Sequence, residues 1–313
     1  MTGGSGFVGG RLIATLHSGG VGVTALARSE QAARAVRAAG ADSVVRADLD
    51  GVAALADGMS GCDVVFHAAA YMRMYGPGRE FVRVNVEGTA HALAAAKAAG
   101  VKRFVHISTE AVLADGNPIV RADERRPYPR KLAGWYPRTK ALAERAALAA
   151  NTLGFETIAV RPRWVWGRGH SVPLLNLVDA VKHHRFRWID GGRYLTSTCH
   201  VANVAYGARL AAERGAGGQV YFLTDGEPVE FRAFITALLA TQGVDAGARE
   251  IPGWAAKIAA VLSAWLPRPL VTRTELALGG HEVTVDDRKA RRELGYVPPV
   301  SREAGLAEMR LAS

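Results

Sequence analysis

The sequence predicts an α/β protein: a doubly wound parallel sheet covered on both faces by helices, with a smaller C-terminal lobe. Two observations lead there. Short apolar runs alternate with helical stretches through the first half of the chain, and a glycine-spaced turn opens it. Residues 21–27 read as a strand, 30–39 as a helix, 43–46 as a short strand and 63–67 as a buried one. An alanine-rich helix over 88–99 is closed by Gly100, and a strand over 103–108 follows. A helix over 136–150 and a strand over 157–161, ended by Pro162, continue the alternation. Strands joined through helices make crossover units, and crossovers make parallel sheets. Residues 1–165, with 195–224 returning to them, are expected to form the sheet domain; 166–194 and 225–313 are expected to form the smaller substrate-binding lobe.

At the start, Gly3, Gly6 and Gly9 are spaced G-x-x-G-x-x-G around Phe7 and Val8. Such a turn joins the end of a buried strand to a helix, so that a dinucleotide's pyrophosphate rests on the helix N-terminus. Gly3 permits the tight turn, Gly6 lets the backbone approach the phosphates, and Gly9 lets the helix through Leu12, Ile13 and Leu16 pack closely on the sheet. On spacing alone an ordinary loop competes equally, because the chain holds 35 glycines. Only Met1 and Thr2 precede Gly3, where about five apolar residues are expected of a buried strand. The first strand is therefore expected to be missing from the chain as written, with Met1 a misplaced start. Loss of a central strand is expected to make the chain fold poorly, since net stability is small.

Composition narrows the function. The chain has 313 residues, 49% of them hydrophobic and 22% charged, which suits an ordinary globular protein. Cys62 and Cys199 are too few for a disulfide framework and lack metal-ligand spacing, so a reducing cytoplasm is expected, with no metal. No apolar run reaches the roughly 18 residues of a spanning helix. The net charge of +10 invites a nucleic-acid reading, but the arginines are scattered, aromatic and basic residues do not interleave, and no helix-turn-helix or zinc spacing is present. No nucleic-acid partner is expected.

The strand over 21–27 ends in Arg28 and Ser29. In dinucleotide folds a carboxylate at that place binds the ribose 2′-hydroxyl, whereas a cation accommodates a 2′-phosphate. An arginine fork suits phosphate through paired charge-assisted hydrogen bonds. NADP is the expected cofactor and NAD stays open, since an exposed arginine leading a helix is an alternative for Arg28.

The strongest chemical signal is Tyr136-Pro137-Arg138-Thr139-Lys140. Four residues apart on a helix, tyrosine and lysine share a face, and an ammonium beside a phenol favours the ionised form. About thirty residues earlier, the strand over 103–108 runs into the adjacent hydroxyls of Ser108 and Thr109. One of them is placed to hydrogen-bond a substrate oxygen while the phenol transfers its proton.

This order of glycine turn, hydroxyls and Tyr/Lys helix resembles the extended short-chain dehydrogenase/reductase family, within the NAD-dependent epimerase/dehydratase superfamily. Further residues are similar to its motifs: Asp48-Leu49, Asp63 through Ala69, Asn85 through Thr89, Arg161-Pro162 with Gly167, His200 through Val204, and Leu294-Gly295-Tyr296 with Pro298. The segments Tyr136 through Glu144 and Arg161 through Gly169 look most like the 3β-hydroxysteroid dehydrogenase and dihydroflavonol reductase branch. The resemblance implies a Rossmann fold and reversible hydride transfer between a secondary alcohol and a ketone. It implies Tyr136 as the acid/base, Lys140 on the nicotinamide ribose and lowering the phenol's pKa, and Thr109 as the hydroxyl partner with Ser108 as fallback. It also implies that Gly3, Gly6, Phe7, Val8, Gly9, Asp48, Leu49, Ala68, Ala69 and Pro162 border the cofactor, and that the chain forms a homodimer through the tyrosine-bearing helix. Arg28 departs from the NAD-linked steroid enzymes and is similar to the NADP-linked reductases.

Tyr71, Met72, Met74, Tyr75, Trp135, Trp164 and Trp166 fall in loops expected to border the nicotinamide, which suits a small hydrophobic, ring-shaped substrate. Closure of the interface between lobes explains the same aromatics equally well. Residues 254–266 form an apolar, helix-like stretch ended by Pro267 and Pro269; it is expected to pack a core or pocket, or to lie on a membrane surface beside Lys257, Arg268 and Arg273. Two other functions fit less well: a sugar-nucleotide epimerase or dehydratase holding NAD tightly, whose usual asparagine after the 157–161 strand is lacking, and a redox sensor without turnover, which has no use for an activated phenol.

Overall fold

The computed structural model describes residues 1–169, 171–263, 269 and 271–310. In chain order it runs α1 (Phe7–Ser18), β1 (Thr24–Leu26), α2 (Glu30–Ala38), β2 (Ser43–Val45), α3 (Val52–Met59), β3 (Val64–His67), α4 (Gly78–Phe81), α5 (Gly88–Ala98), β4 (Arg103–Ile107), β5 (Ile119–Ala122), α6 (Trp135–Ala149), β6 (Glu156–Pro162), β7 (Val165–Trp166), α7 (Val172–Lys182), β8 (Trp188–Ile189), β9 (Leu195–Thr196) and β10 (Cys199–His200). It continues through α8 (Val201–Arg214), β11 (Val220–Leu223), β12 (Val229–Glu230), α9 (Phe231–Ala240), β13 (Glu250–Ile251), α10 (Gly253–Leu262), α11 (Arg273–Gly279), β14 (Val283–Val285), α12 (Arg288–Leu294) and α13 (Arg302–Arg310). Of the apolar stretch over 254–266, Ala264, Trp265 and Leu266 lie outside the described residues, as do Pro267 and Arg268 after it.

The main sheet has the order β11-β6-β4-β3, all parallel, with His67 opposite His106 and Ile107 opposite Val160. β1 and β2 form a second parallel pair. Met1 and Thr2 sit between the two sets. The Leu26 amide donates to the Met1 carbonyl, the Thr2 amide to Phe66 and the Ala68 amide to the Thr2 carbonyl. Both faces of the sheet are covered, as the alternation predicts. Val105 and Ile107 of β4 pack with Leu12, Ile13 and Leu16 of α1 and Val204 and Ala208 of α8, while Phe104 turns the other way onto Leu55, Ala92 and Ala96 of α3 and α5.

β1 is shorter than the 21–27 read from sequence. Val21 is exposed, and the Val23 amide bonds the Asp42 carboxylate instead of a neighbouring strand, so pairing begins only at Thr24. A smaller sheet of order β12-β9-β14-β5 joins residues far apart in sequence, Ile119 of β5 lying opposite Val283 of β14. Beside it, Trp166, Trp188, Phe231, Phe234, Ile235 and Leu238 close a separate aromatic core.

Candidate active site

The glycine turn is held where the sheet's carboxyl edge meets α1. Gly3 adopts φ +67°, and a Cβ there would lie 2.5 Å from the Ala69 amide nitrogen and 2.6 Å from the Ala68 carbonyl carbon. A Cβ on Gly9 would lie 2.2 Å from the Gly3 carbonyl oxygen. Gly4, which the spacing did not single out, is less constrained: its Cβ would meet the side-chain tip of Ile13, Cδ1, at 2.7 Å. Gly6 begins α1 without a side-chain cap and spends its own amide on the Gly3 carbonyl, leaving the amides of Phe7, Val8 and Gly9 at the open helix end. A cradle closed to side chains and rich in free amides fits a pyrophosphate.

Arg28 follows β1, is exposed and makes no ion pair among the described residues. Arg46, not picked out from the sequence, follows β2 at the same sheet edge and pairs with Glu30 at 3.3 Å. Asp48 caps the Leu49 amide at 2.8 Å, and Leu49 is buried against Gly88. Ala68 and Ala69 leave β3 beneath Gly3, and Pro162 ends β6 in a buried position.

The polar residues cluster between α6 and the ends of β3, β4 and β6. Tyr136, Lys140, Ser108 and Thr109 are all buried, Tyr136 and Thr109 each retaining 8% exposure. Burial first, then the nearby Glu110 carboxylate, raises the Tyr136 pKa. The expected pairing of Lys140 with this phenol is not the contact present. Its Nζ reaches across to β4, donating to the Ile107 carbonyl at 2.7 Å and standing 3.5 Å from His106 Nε2. Burial lowers Lys140 to about 8, against the pull of Glu144 one turn on. Glu144 itself is committed to Arg161 through two hydrogen bonds, which ties α6 to β6.

Behind Lys140 lies a histidine pair. His67 and His106 stack at 5.6 Å between ring centroids. Thr89 Oγ1 donates to the Asn85 carbonyl and so accepts from His67 Nε2, leaving His67 Nδ1 to accept from Thr2. Burial, reinforced by Lys140, holds His67 down at about 3 and His106 well below the usual histidine range. Asn85, in a wide helical turn before α5, receives the Tyr71 amide at 2.7 Å and donates to Thr139 at 3.0 Å, so the loop after β3 is bound to α6.

Glu110 carried no motif signal, and Arg163, inside the Arg161-through-Gly169 segment, carried no role. Their carboxylate and guanidinium nevertheless form a buried pair at 2.8 Å, and the other Glu110 oxygen accepts the Thr109 hydroxyl at 2.7 Å. Tyr71 and Met72 pack with Tyr136, Phe81 and Ala111. Trp166 does not belong to that set. Its indole is buried on His200 and Phe234 and donates to Asp225, and Trp164 stands edge-on to Phe231. The His200–Val204 motif is likewise structural: Asp225 gathers the His200 amide and the side chains of Thr198 and Asn203.

Residues 1–252 match the 3-beta hydroxysteroid dehydrogenase/isomerase family. The chain belongs to this family. Among its relatives, a protein of Stigmatella aurantiaca named 4-hydroxy-2-methyl-3-oxo-4-farnesyl-3,4-dihydroquinoline-1-oxide ketoreductase is 51% identical, over 100% of this chain and 95% of its own. A decarboxylating sterol-4-alpha-carboxylate 3-dehydrogenase of Dictyostelium discoideum is 33% identical over 99% and 98%. Among solved structures, MoeE5 in complex with UDP-glucuronic acid and NAD superposes with a TM-score of 0.74 at 25% identity, covering 98% of this chain and 95% of that one. This family member is thus an NAD(P)-dependent oxidoreductase of the extended short-chain group, and its glycine cradle and helix end fit that cofactor. Among its described residues no helix is long and apolar enough to cross a membrane.

Proposed function

We propose that this protein is an NADP(H)-dependent ketoreductase, interconverting a ketone and a secondary alcohol on a hydrophobic, ring-bearing substrate. The name of the 51% identical relative, with its 3-oxo group on a farnesylated dihydroquinoline ring, supports a prenylated heterocycle more than a steroid. Gly3, Gly6, Phe7, Val8 and Gly9 would hold the pyrophosphate, Arg28 the 2′-phosphate, Asp48 and Leu49 the adenine side, Ala68, Ala69 and Pro162 the cofactor's flank, and Lys140 the nicotinamide ribose. When bound, the reduced nicotinamide supplies a hydride to the carbonyl carbon.

The observation that carries the reading is the placement of Tyr136, buried against Ala111 just past Ser108, Thr109 and Glu110. Its phenol, protonated at neutral pH, can give that proton to a carbonyl oxygen as the hydride arrives and take it back in the reverse reaction. Thr109 is fixed by Glu110, and Ser108 Oγ, buried without a partner among the described residues, is a hydroxyl available to the substrate. Tyr71 and Met72 supply an apolar wall on the same side.

The test is a purified chain offered NADPH or NADH with a panel of prenylated quinoline ketones, hydroxysteroids and simple ketones. NADPH-dependent reduction of a hydrophobic ketone is expected, and Tyr136→Phe should keep NADPH affinity while losing turnover by about 10²–10⁴-fold. Unchanged activity in Tyr136→Phe refutes the mechanism. A sugar-nucleotide enzyme would copurify with NAD and ignore the ketones, and a sensor would bind NADPH and turn over nothing.

A further inference from the structure

α10 is built inside out. Its small residues Ala256 and Ala260 face inward and are buried, while Trp254, Ile258, Val261 and Leu262 are 69%, 50%, 50% and 74% exposed. At about 100° per residue those four fall within an arc of roughly 100°, opposite the two alanines. An ordinary surface helix has the reverse arrangement. A contiguous exposed stripe of large apolar side chains marks a docking face.

The surroundings of the stripe indicate what docks. Lys257 flanks it on the helix. Beside it opens a groove of about 480 Å³, between Ala260 and Val261 of α10, Leu276 of α11 and the segment leading into α6. Lys131, Arg138, Lys257 and Arg273 all line that groove, against one carboxylate among the described residues, Asp115, whose oxygens are taken by Asn117. All four cations are exposed. Trp135, 44% exposed, lies at the groove with the Arg138 guanidinium 5.4 Å from its ring, and Tyr136 is the next residue.

We propose that this face docks on an anionic lipid bilayer, with the Trp254-to-Leu262 stripe among the acyl chains and Lys131, Arg138, Lys257 and Arg273 against the headgroups. An apolar stripe with flanking cations supplies the two signals, burial and charge, that hold a peripheral protein at a membrane. A second copy of the chain fits less well. In a two-fold contact the same patch meets itself, setting four cations against four in a chain of net charge +10. Trp135 and Arg138 of the helix bearing Tyr136 line the groove, and Tyr136 does not. Docking does not rest on the substrate proposed above, and it is tested without turnover.

The experiment is co-sedimentation of the full chain with vesicles of phosphatidylcholine alone or containing phosphatidylglycerol, at low and high salt. Pelleting with the anionic vesicles is expected, weakening about tenfold as salt screens the headgroups. The pair Trp254→Ser/Leu262→Ser and the single Lys257→Glu should each cut partition about tenfold. The serine pair should leave the thermal melt and the reduction of a water-soluble ketone unchanged, because both side chains are on the surface. No pelleting at low salt overturns the proposal. So does pelleting indifferent to the serine pair, or a vesicle-free dimer in light scattering that the pair converts to monomer. If the protein pelleted as expected but reduced no ketone, docking would stand and the ketoreductase reading would fall.

Discussion

The Thr109 hydroxyl donates 2.7 Å to Oε2 of Glu110, while Oε1 of the same carboxylate takes Arg163 Nη1 at 2.8 Å. Arg163 also reaches the Leu278 carbonyl at 2.6 Å and the Thr196 hydroxyl at 3.1 Å, and neither charged side chain is more than 4% exposed. A charge pair this deep is costly to desolvate, and an apolar replacement of both partners is often no worse for stability. What it provides here is a fixed orientation for the Thr109 hydroxyl, whose proton is committed to Glu110 beside Tyr136.

Glu110→Gln should therefore destabilise the fold by about 3–5 kcal/mol, because Arg163 would be left as a buried, unbalanced charge. Denaturant unfolding measures this, and Glu110→Gln with Arg163→Met should recover much of the loss. Kinetics separate the second role. The carboxylate raises the phenol pKa, so its removal should move the alkaline limb of reduction to lower pH. An alkaline limb unmoved in Glu110→Gln would mean that the carboxylate does not act on the phenol.

At the glycine turn, two neighbouring residues give a contrast. A Cβ on Gly9 would stand 2.2 Å from the Gly3 carbonyl oxygen, whereas one on Gly10 has its nearest neighbour, the Gly4 carbonyl oxygen, at 3.5 Å. Gly9→Ala should abolish measurable NADPH binding by calorimetry and lower the melting temperature. Gly10→Ala sits within a helix and should bind normally, with stability unchanged or raised by up to about 1 kcal/mol. Equal affinity in the two variants would contradict the close fit of α1 on the turn.

What the sequence made legible was local. The strands β3, β4 and β6 and the helix α6 lie within a residue or two of the positions read from alternation and helical spacing, because their signals are contained in their own runs. Tyr136, Thr109 and the glycine turn stand out from their own short runs in the same way. Glu110 and Arg163 were missed because 53 residues separate them. Yet Ile107 lies opposite Val160, so carrying the register three residues further sets 110 opposite 163. The His67–His106 stack is a register pair of the same kind. Such partners become readable only once strand order is known. Lys140 was placed on the correct face, but helical spacing does not reveal that the Ile107 carbonyl lies within reach of its long side chain.

Cofactor choice turns on Arg28, exposed at the end of β1 without an ion pair among the described residues. A charge-assisted bond to the 2′-phosphate contributes about 1.5–3 kcal/mol, so Arg28→Ala should weaken NADPH binding by about 10- to 100-fold and leave NADH nearly unaffected. Arg46 is held by Glu30 on the same edge, and Arg46→Ala should give a smaller NADPH loss. Equal losses for the two cofactors would remove Arg28 from the 2′-phosphate site.

The histidine pair makes folding stability depend on pH in a predictable window. His67, at about 3 in the folded protein against about 6.5 in an unfolded chain, binds its proton first in the unfolded state as pH falls. Stability is then full above about pH 6.5 and declines steadily as pH falls toward 3. Each buried ring costs at most about 1.4 kcal/mol per pH unit. His106, also held neutral by burial, adds to the slope in the same direction. Lys140, lowered to about 8, acts in a separate window: the unfolded chain binds that proton more tightly, so stability should rise between about pH 8 and 10.5. Urea midpoints measured from pH 4.5 to 7.5 should show the acid slope. His67→Gln should flatten it while lowering stability at neutral pH, since the Thr2 and Thr89 hydrogen bonds need an imidazole's two nitrogens. A midpoint constant across that range would show that both rings accept protons in place, contrary to their burial behind Lys140.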